Sequence, residues 1–130
     1  MANKDLRDWM KAVEAAGELK IIKGAEPKEE IGGFVDIYQR KMGNPALLFD
    51  NVPGFPKGYR VVANVLTSVP RINVALGLPA QASEMELIQW WRNYMKHAPS
   101  HQPRPVNGGP LLENVAEGKD INIEKIPTPV

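Results

Sequence analysis

The sequence predicts an α/β protein, with α+β as the other option: a small sheet of short strands flanked by helices. Three observations predict it. Stretches with apolar residues at i, i+3, i+4 and i+7 alternate along the chain with apolar runs too short for a helix. Clusters of glycine, proline and asparagine separate the two kinds of stretch. The content of 43% hydrophobic and 24% charged residues is that of a globular chain, which excludes disorder throughout.

The elements follow in order. Asp5 is placed to cap a helix whose apolar face is Leu6, Trp9, Met10 and Val13. Gly17 suits the left-handed position that closes it. Glu18 to Lys23 reads as a short strand through Leu19, Ile21 and Ile22, and Gly24 to Pro27 breaks it. A second helix is expected over Lys28 to Met42, with Ile31, Phe34, Val35, Tyr38 and Met42 on one face. Gly32 and Gly33 inside it cost roughly 1 kcal/mol each relative to alanine, unless they permit a close approach to a neighbouring element. Gly43-Asn44-Pro45 ends the helix, and Ala46 to Asp50 is a short apolar strand.

Asn51 to Gly58 is a turn-rich loop, and Arg60 to Asn64 reads as a third strand. Ser68 is placed to cap a short helix through Ile72 and Val74 to Leu76. Pro70 sits near its start, where its missing amide does little harm, and Gly77 closes it. Ser83 with Glu86 has the form of a capping box. It opens a helix to about His97, with Leu87, Ile88, Trp91, Tyr94 and Met95 expected on the buried side, and Pro99 stops it. A final short strand is expected near Leu111 to Val115.

The chain has 130 residues, enough for one domain with a core of ordinary size. The division expected is 1–98 as an α/β domain and 99–130 as a proline-rich extended segment. Six of the twelve prolines, from Pro99 to Pro129, fall in that last part. Its apolar residues have no helical period, and Ile121 to Val130 does not read as the end of a packed domain. Residues to about Val115 are expected on the domain, and those from about Asp120 to want a partner surface.

The formal net charge is +1, with Lys and Arg scattered among Asp and Glu, so no electrostatic case exists for nucleic acid or an anionic membrane. No cysteine is present, which excludes disulfides, thiolate metal sites and a Cys nucleophile. No apolar run approaches the roughly 20 residues of a membrane helix, and the charged N-terminus does not resemble a signal peptide. A cytoplasmic protein is expected.

Chemistry is sparse. His97 and His101 are four residues apart, the spacing of two ligands on one helix face, but Pro99 lies between them and surface histidines are the better reading. Glu26, Glu29 and Glu30 cluster at a predicted helix start, where a capping role outweighs acid–base catalysis. Gly32-Gly33 and Gly108-Gly109 lack the pattern of a phosphate loop. Trp90 and Trp91 point about 100° apart on a helix; Trp91 fits the buried stripe, and Trp90 either widens it or meets another domain or subunit. No nucleophile, base and orienting group assemble.

Four segments in order carry a resemblance. Asp5-Leu6-Arg7 through Ala15-Ala16-Gly17-Glu18-Leu19 resembles the opening of the UbiD-type decarboxylases. Pro45-Ala46-Leu47-Leu48-Phe49-Asp50-Asn51-Val52, continued by Gly54, is similar to that family's "PALLFENV" strand. Asn64, Arg71 and Ala75-Leu76-Gly77 resemble its "N…R…ALG" segment. Glu113-Asn114-Val115 with Asp120, Ile121, Ile123, Ile126 and Pro127 resembles its "ENV…G.DVDL..LPIP" approach to the catalytic barrel. Ser68 and Val69 depart from the forms common before the family's arginine, which bears on subfamily only.

The resemblance implies an N-terminal domain of a longer enzyme with a central split-barrel catalytic domain and a C-terminal domain used in oligomerisation. It implies prenylated FMN with a divalent metal (Mn or Mg) and K on the central domain, and reversible decarboxylation of aromatic or α,β-unsaturated acids. The family's metal-binding and catalytic residues lie after the segment resembling Asp120 to Pro127. No catalytic, cofactor-binding or metal-binding residue is therefore expected on this chain, and the isolated chain is expected to be inactive. The partners expected are the downstream catalytic domain and further copies of the same enzyme. The alternatives are a stand-alone protein-interaction module or a small subunit of a multi-subunit carboxylase.

Overall fold

The computed structural model describes residues 5–100, 102–109 and 112–127. Helix α1 is Leu6–Ala15, strand β1 Leu19–Lys23, helix α2 Glu30–Gln39 and strand β2 Ala46–Asp50. Strand β3 is Val61–Ala63, helix α3 Val69–Ala75 and helix α4 Glu84–His97. The result is a mixed α/β fold around a three-stranded sheet of order β1-β2-β3.

Local chemistry sets the boundaries. The Asp5 carboxylate accepts hydrogen bonds from the Arg7 and Asp8 amides at 2.8 and 2.9 Å, which satisfies donors that α1 cannot pair itself. Gly17, at φ 75°, turns the chain out of α1; its amide donates to Glu14 O and that of Glu18 to Val13 O. A side chain at that φ is strained, so glycine belongs there.

β2 is the centre. It runs parallel to β1, with Leu19 opposite Ala46 and Lys23 opposite Asp50, and antiparallel to β3, with Leu47 opposite Ala63. A parallel pair needs a crossover, and α2 provides it. Leu47 and Phe49 face a core of Ala25, Ile31 and Val52, which Phe34, Val35 and Tyr38 of α2 complete. Ala46 packs into a second core with Trp9, Val13 and Val74 from α1 and α3. The sheet is thus covered on both faces, which is why β2 reads as an unbroken apolar run rather than an alternating one.

The structure corrects four expectations. α2 covers Glu30–Gln39 rather than Lys28 to Met42, and Met42 is fully exposed. The chain must leave the helix early to reach the Asn44-Pro45 turn, because a residue before proline is barred from helical conformation. Gly32 and Gly33 mark no close approach: nothing lies within 4 Å of where either side chain would begin. The face of α4 expected to be buried is not. Leu87 is half-buried, whereas Ile88, Trp91, Tyr94 and Met95 are exposed, since α4 rests on α3 with no further layer over it among the described residues. Leu112 to Val115 form no strand, for want of a sheet edge beside them; Leu111 lies outside the described residues.

Past α4, the described residues include two short 3-10 turns, Gly118–Asp120 and Ile123–Lys125. Val106, Leu112, Val115, Ile121, Ile123 and Ile126 are exposed, and Pro127 is buried.

The predicted capping box on α4 is present: the Glu86 amide donates to Ser83 Oγ at 3.3 Å and the Ser83 amide to Glu86 Oε2 at 2.7 Å. Hydrogen bonds from the Ser83 amide and hydroxyl hold the Glu86 carboxyl below its ordinary value of 4.5. A lowered folded value means that the cap stabilises α4 fully above that pH, and that the contribution is lost as pH falls through the folded value. Helical ellipticity in an acid titration is expected to decline below about pH 4.5. Glu86→Gln should flatten that part of the curve, and superimposable curves would count against the cap.

Candidate functional site

The most concentrated polar chemistry surrounds Arg71, which is fully buried in α3. One guanidinium nitrogen, Nη1, donates to Glu18 Oε2 at 2.8 Å and to Asn44 O at 2.5 Å. The other, Nη2, donates to Asn44 Oδ1 and to Thr67 Oγ1, both at 2.7 Å. Ser68, the cap of α3, donates its hydroxyl to the same Glu18 oxygen at 3.1 Å. Burial pushes the guanidinium below its ordinary value, and the Glu18 carboxylate opposes the shift. Arginine remains charged throughout.

Position decides what this cluster does. Glu18 precedes β1 and Asn44 precedes β2, and the Ala46 amide donates to Glu18 O at 2.8 Å. Arg71 therefore fastens the N-terminal ends of both parallel strands to α3. Open α/β sheets bind ligands at the opposite, C-terminal ends of their strands. The cluster is a clamp within the fold: its one carboxylate is paired to its one cation, and the Thr67 and Ser68 hydroxyls belong to the same hydrogen-bond network.

The residues singled out from the sequence do not assemble into a site. His97 is exposed at the end of α4, its Nδ1 3.0 Å from Asn93 O, and His101 lies outside the described residues. Glu26 and Glu30 serve the turn into α2: the Glu26 amide donates to Glu30 Oε2 and the Glu29 amide to Glu26 Oε2. Among the described residues no group of three His, Cys, Asp or Glu comes together as a metal site would require. The tryptophans are reversed from expectation, with Trp90 half-buried and Trp91 exposed. Trp90 stacks on Tyr94 with ring centroids 5.2 Å apart and planes 8° from parallel. That contact across one helical turn is what shields Trp90.

The second candidate is a surface. α3 and α4 bound a groove of about 350 Å³ lined by Leu66, Ile72, Leu76, Leu87, Ile88 and Trp91, with Arg92 at its edge. It continues into the exposed Met85, Tyr94 and Met95 of α4. A contiguous apolar patch of this kind marks a contact surface rather than a reaction centre. No helix among the described residues is long and apolar enough to cross a membrane.

The family model of the 3-octaprenyl-4-hydroxybenzoate carboxy-lyase N-terminal domain, UbiD_N, matches residues 10–91, more than half of the chain. The chain belongs to this family. The matched part of this UbiD N-terminal domain holds the sheet, the first core, the second core apart from Trp9, the Arg71 clamp and the first half of α4. Solved structures agree. The vanillic acid decarboxylase of Sedimentibacter hydroxybenzoicus, in an open form with truncated ShVdcD, matches with a TM-score of 0.70 and 25% identity over 76% of the chain. A second open form gives 0.64 and 26% over 72%. The closed form gives 0.68 over 74%, at an identity of 24% that speaks to the fold alone. The UbiD N-terminal domain described here spans about a fifth of those chains, 21% and 20% for the two open forms.

Three of the four segments that carried the resemblance build this fold; the fourth, Glu113 to Pro127, lies beyond the matched residues. Ala46–Asp50 is the central strand, Asn64 bends the chain after β3 at φ 56°, and Arg71 is the clamp. The sequence offered one overlooked signal, a lone arginine followed by Ile72 and Val74 in a short helix. A charge in an apolar stretch needs a buried partner, and Glu18 is that partner.

Proposed function

We propose that this chain is the N-terminal, non-catalytic domain of a UbiD-like carboxy-lyase that acts reversibly on aromatic or α,β-unsaturated carboxylic acids. It packs on a catalytic barrel, toward which residues 99–130 lead, in an oligomeric cytoplasmic enzyme. The family match over residues 10–91 carries this reading. The likeness to a vanillic acid decarboxylase supports an aromatic acid as substrate.

The full enzyme is proposed to use prenylated FMN with a divalent metal, Mn or Mg, and K. The described residues of this chain do not fit such groups. They bring together no three potential metal ligands, and both terminal guanidinium nitrogens of Arg71 are already engaged by Glu18, Asn44 and Thr67. This domain's part is positional: a clamped, two-core support.

Two measurements test the reading. The purified 130-residue chain is expected to carry no flavin absorbance and to release no carbon dioxide from aromatic acids; stoichiometric flavin on it would overturn the non-catalytic assignment. The native gene product, purified from its own cells, is expected to exceed 14.4 kDa and to carry flavin. A 14.4 kDa species with no carboxy-lyase associated would overturn the enzyme assignment.

A further inference from the structure

Arg71 fastens one end of the parallel strands, and the other end holds a cavity that the carboxy-lyase reading does not use. α1 reaches β1 through residues 16–18 alone, so it runs back across the sheet and its first turn stands toward the C-terminal ends of β1 and β2. Beside that turn is a cavity of about 370 Å³. Its floor is Leu48 of β2 and Val62 of β3, which are paired across the sheet and so share one face. One wall is Leu6 and Met10, a helical turn apart on α1. Leu48 is only 6% exposed, so the floor is closed.

Two guanidinium groups complete the lining, Arg7 of α1 and Arg60 just before β3. Arg60 makes no ion pair among the described residues. Arg7 has only a loose contact with Asp5, Nη1 to Oδ2 at 3.9 Å. Asp5 is the carboxylate on the rim, and its Oδ1 is taken up by the Arg7 and Asp8 amides as the cap of α1. Two cations thus share a cavity whose floor and wall are apolar. We propose that it binds a small organic acid, one carboxylate on an apolar body. The carboxylate lies between Arg7 and Arg60, and the body rests on Leu48, Val62 and Met10.

The chemistry of the lining selects this class. A guanidinium fork matches the two oxygens of a carboxylate, with more directional bonding than a point charge gives. A bare inorganic anion would meet the cations but leave the apolar floor wet. A neutral ring would cover the floor but leave the cations without a partner. The cavity is near the lower end of the roughly 300–1,000 Å³ of small-molecule pockets, which limits the body to about one ring. Its place, toward the C-terminal ends of the parallel strands, is where open α/β sheets receive ligands. Because the cations are exposed and the cavity is open to water, the dissociation constant is about millimolar.

Amide NMR of the 130-residue chain at low salt tests this with benzoate as the probe. Saturable shifts are expected at Met10, Leu48 and Val62. Benzamide, which keeps the ring and lacks the charge, and inorganic phosphate should each bind roughly tenfold more weakly. Arg7→Gln and Arg60→Gln should each weaken benzoate about fivefold. Both side chains are exposed, so the fold survives their loss and the spectra report that directly. Lys41→Gln removes a cation outside the cavity and should leave the binding unchanged. The absence of saturable shifts at the floor would overturn the proposal. So would benzamide or phosphate binding as strongly as benzoate, or Lys41→Gln weakening benzoate as much as Arg60→Gln does.

Discussion

Replacing Phe49 with alanine is expected to remove about 3–5 kcal/mol of stability. Phe49 lies in the central strand with no exposed surface, packed on Ile31 and Val52 and against the Phe34 ring at 6.3 Å. Its removal opens a void between sheet and α2. The neighbouring backbone cannot collapse into it, because β2 is hydrogen-bonded on both sides. A domain of this size has a total stability of roughly 5–15 kcal/mol, so the variant should be close to unfolding. Urea denaturation reads the effect as a large drop in midpoint; an unchanged midpoint would refute the role assigned to Phe49.

Replacing Arg71 with methionine is expected to cost a similar amount, about 3–5 kcal/mol, for a different reason. Methionine fills much of the space, so the loss is not one of volume. It takes the cation from the Glu18 carboxylate and the guanidinium donors from both Asn44 oxygens, leaving Ser68 on Glu18 and Thr67 on Asn44 Oδ1. The Glu18 side chain is 25% exposed, so water recovers part of its solvation. Glu18→Gln combined with Arg71→Met should therefore be more stable than Arg71→Met alone. Additive losses in the double variant would show that the two side chains do not act as a pair.

The elements whose residues carry their own signals were legible in the sequence. Asp5, Gly17, Ser68, Ser83 and Glu86 each mark a helix end through a hydrogen bond or a backbone angle that a neighbour three or four positions away completes. Ala46 to Asp50 declared itself as a strand because burial on both faces demands an unbroken apolar run. The partners of Arg71 were not legible, because Glu18 and Asn44 are 53 and 27 positions away from it and only the fold brings them together. The face of α4 was misjudged for a related reason. Periodicity shows that a helix has an apolar side, but whether anything in the same chain covers that side depends on layers it does not encode. Among the described residues no metal-ligand group assembles, and the chain spans about a fifth of the decarboxylases it resembles.

The mixed sheet also bears on the order in which the chain gathers itself. β2 and β3 are joined by residues 51–60, and their antiparallel pairing closes a short loop. β1 and β2 are parallel, so residues 24–45 must be drawn across the sheet before any rung of that ladder forms. Doubling a loop adds only about 0.6 kcal/mol of closure entropy, so length is a small obstacle. Direction is the larger one: a parallel pair has no tight turn from which to zip, and its two starting ends must be found by diffusion. Those are the ends that Arg71 joins. A contact 53 residues long in sequence is thus set where it secures the slowest-forming edge of the sheet against reopening.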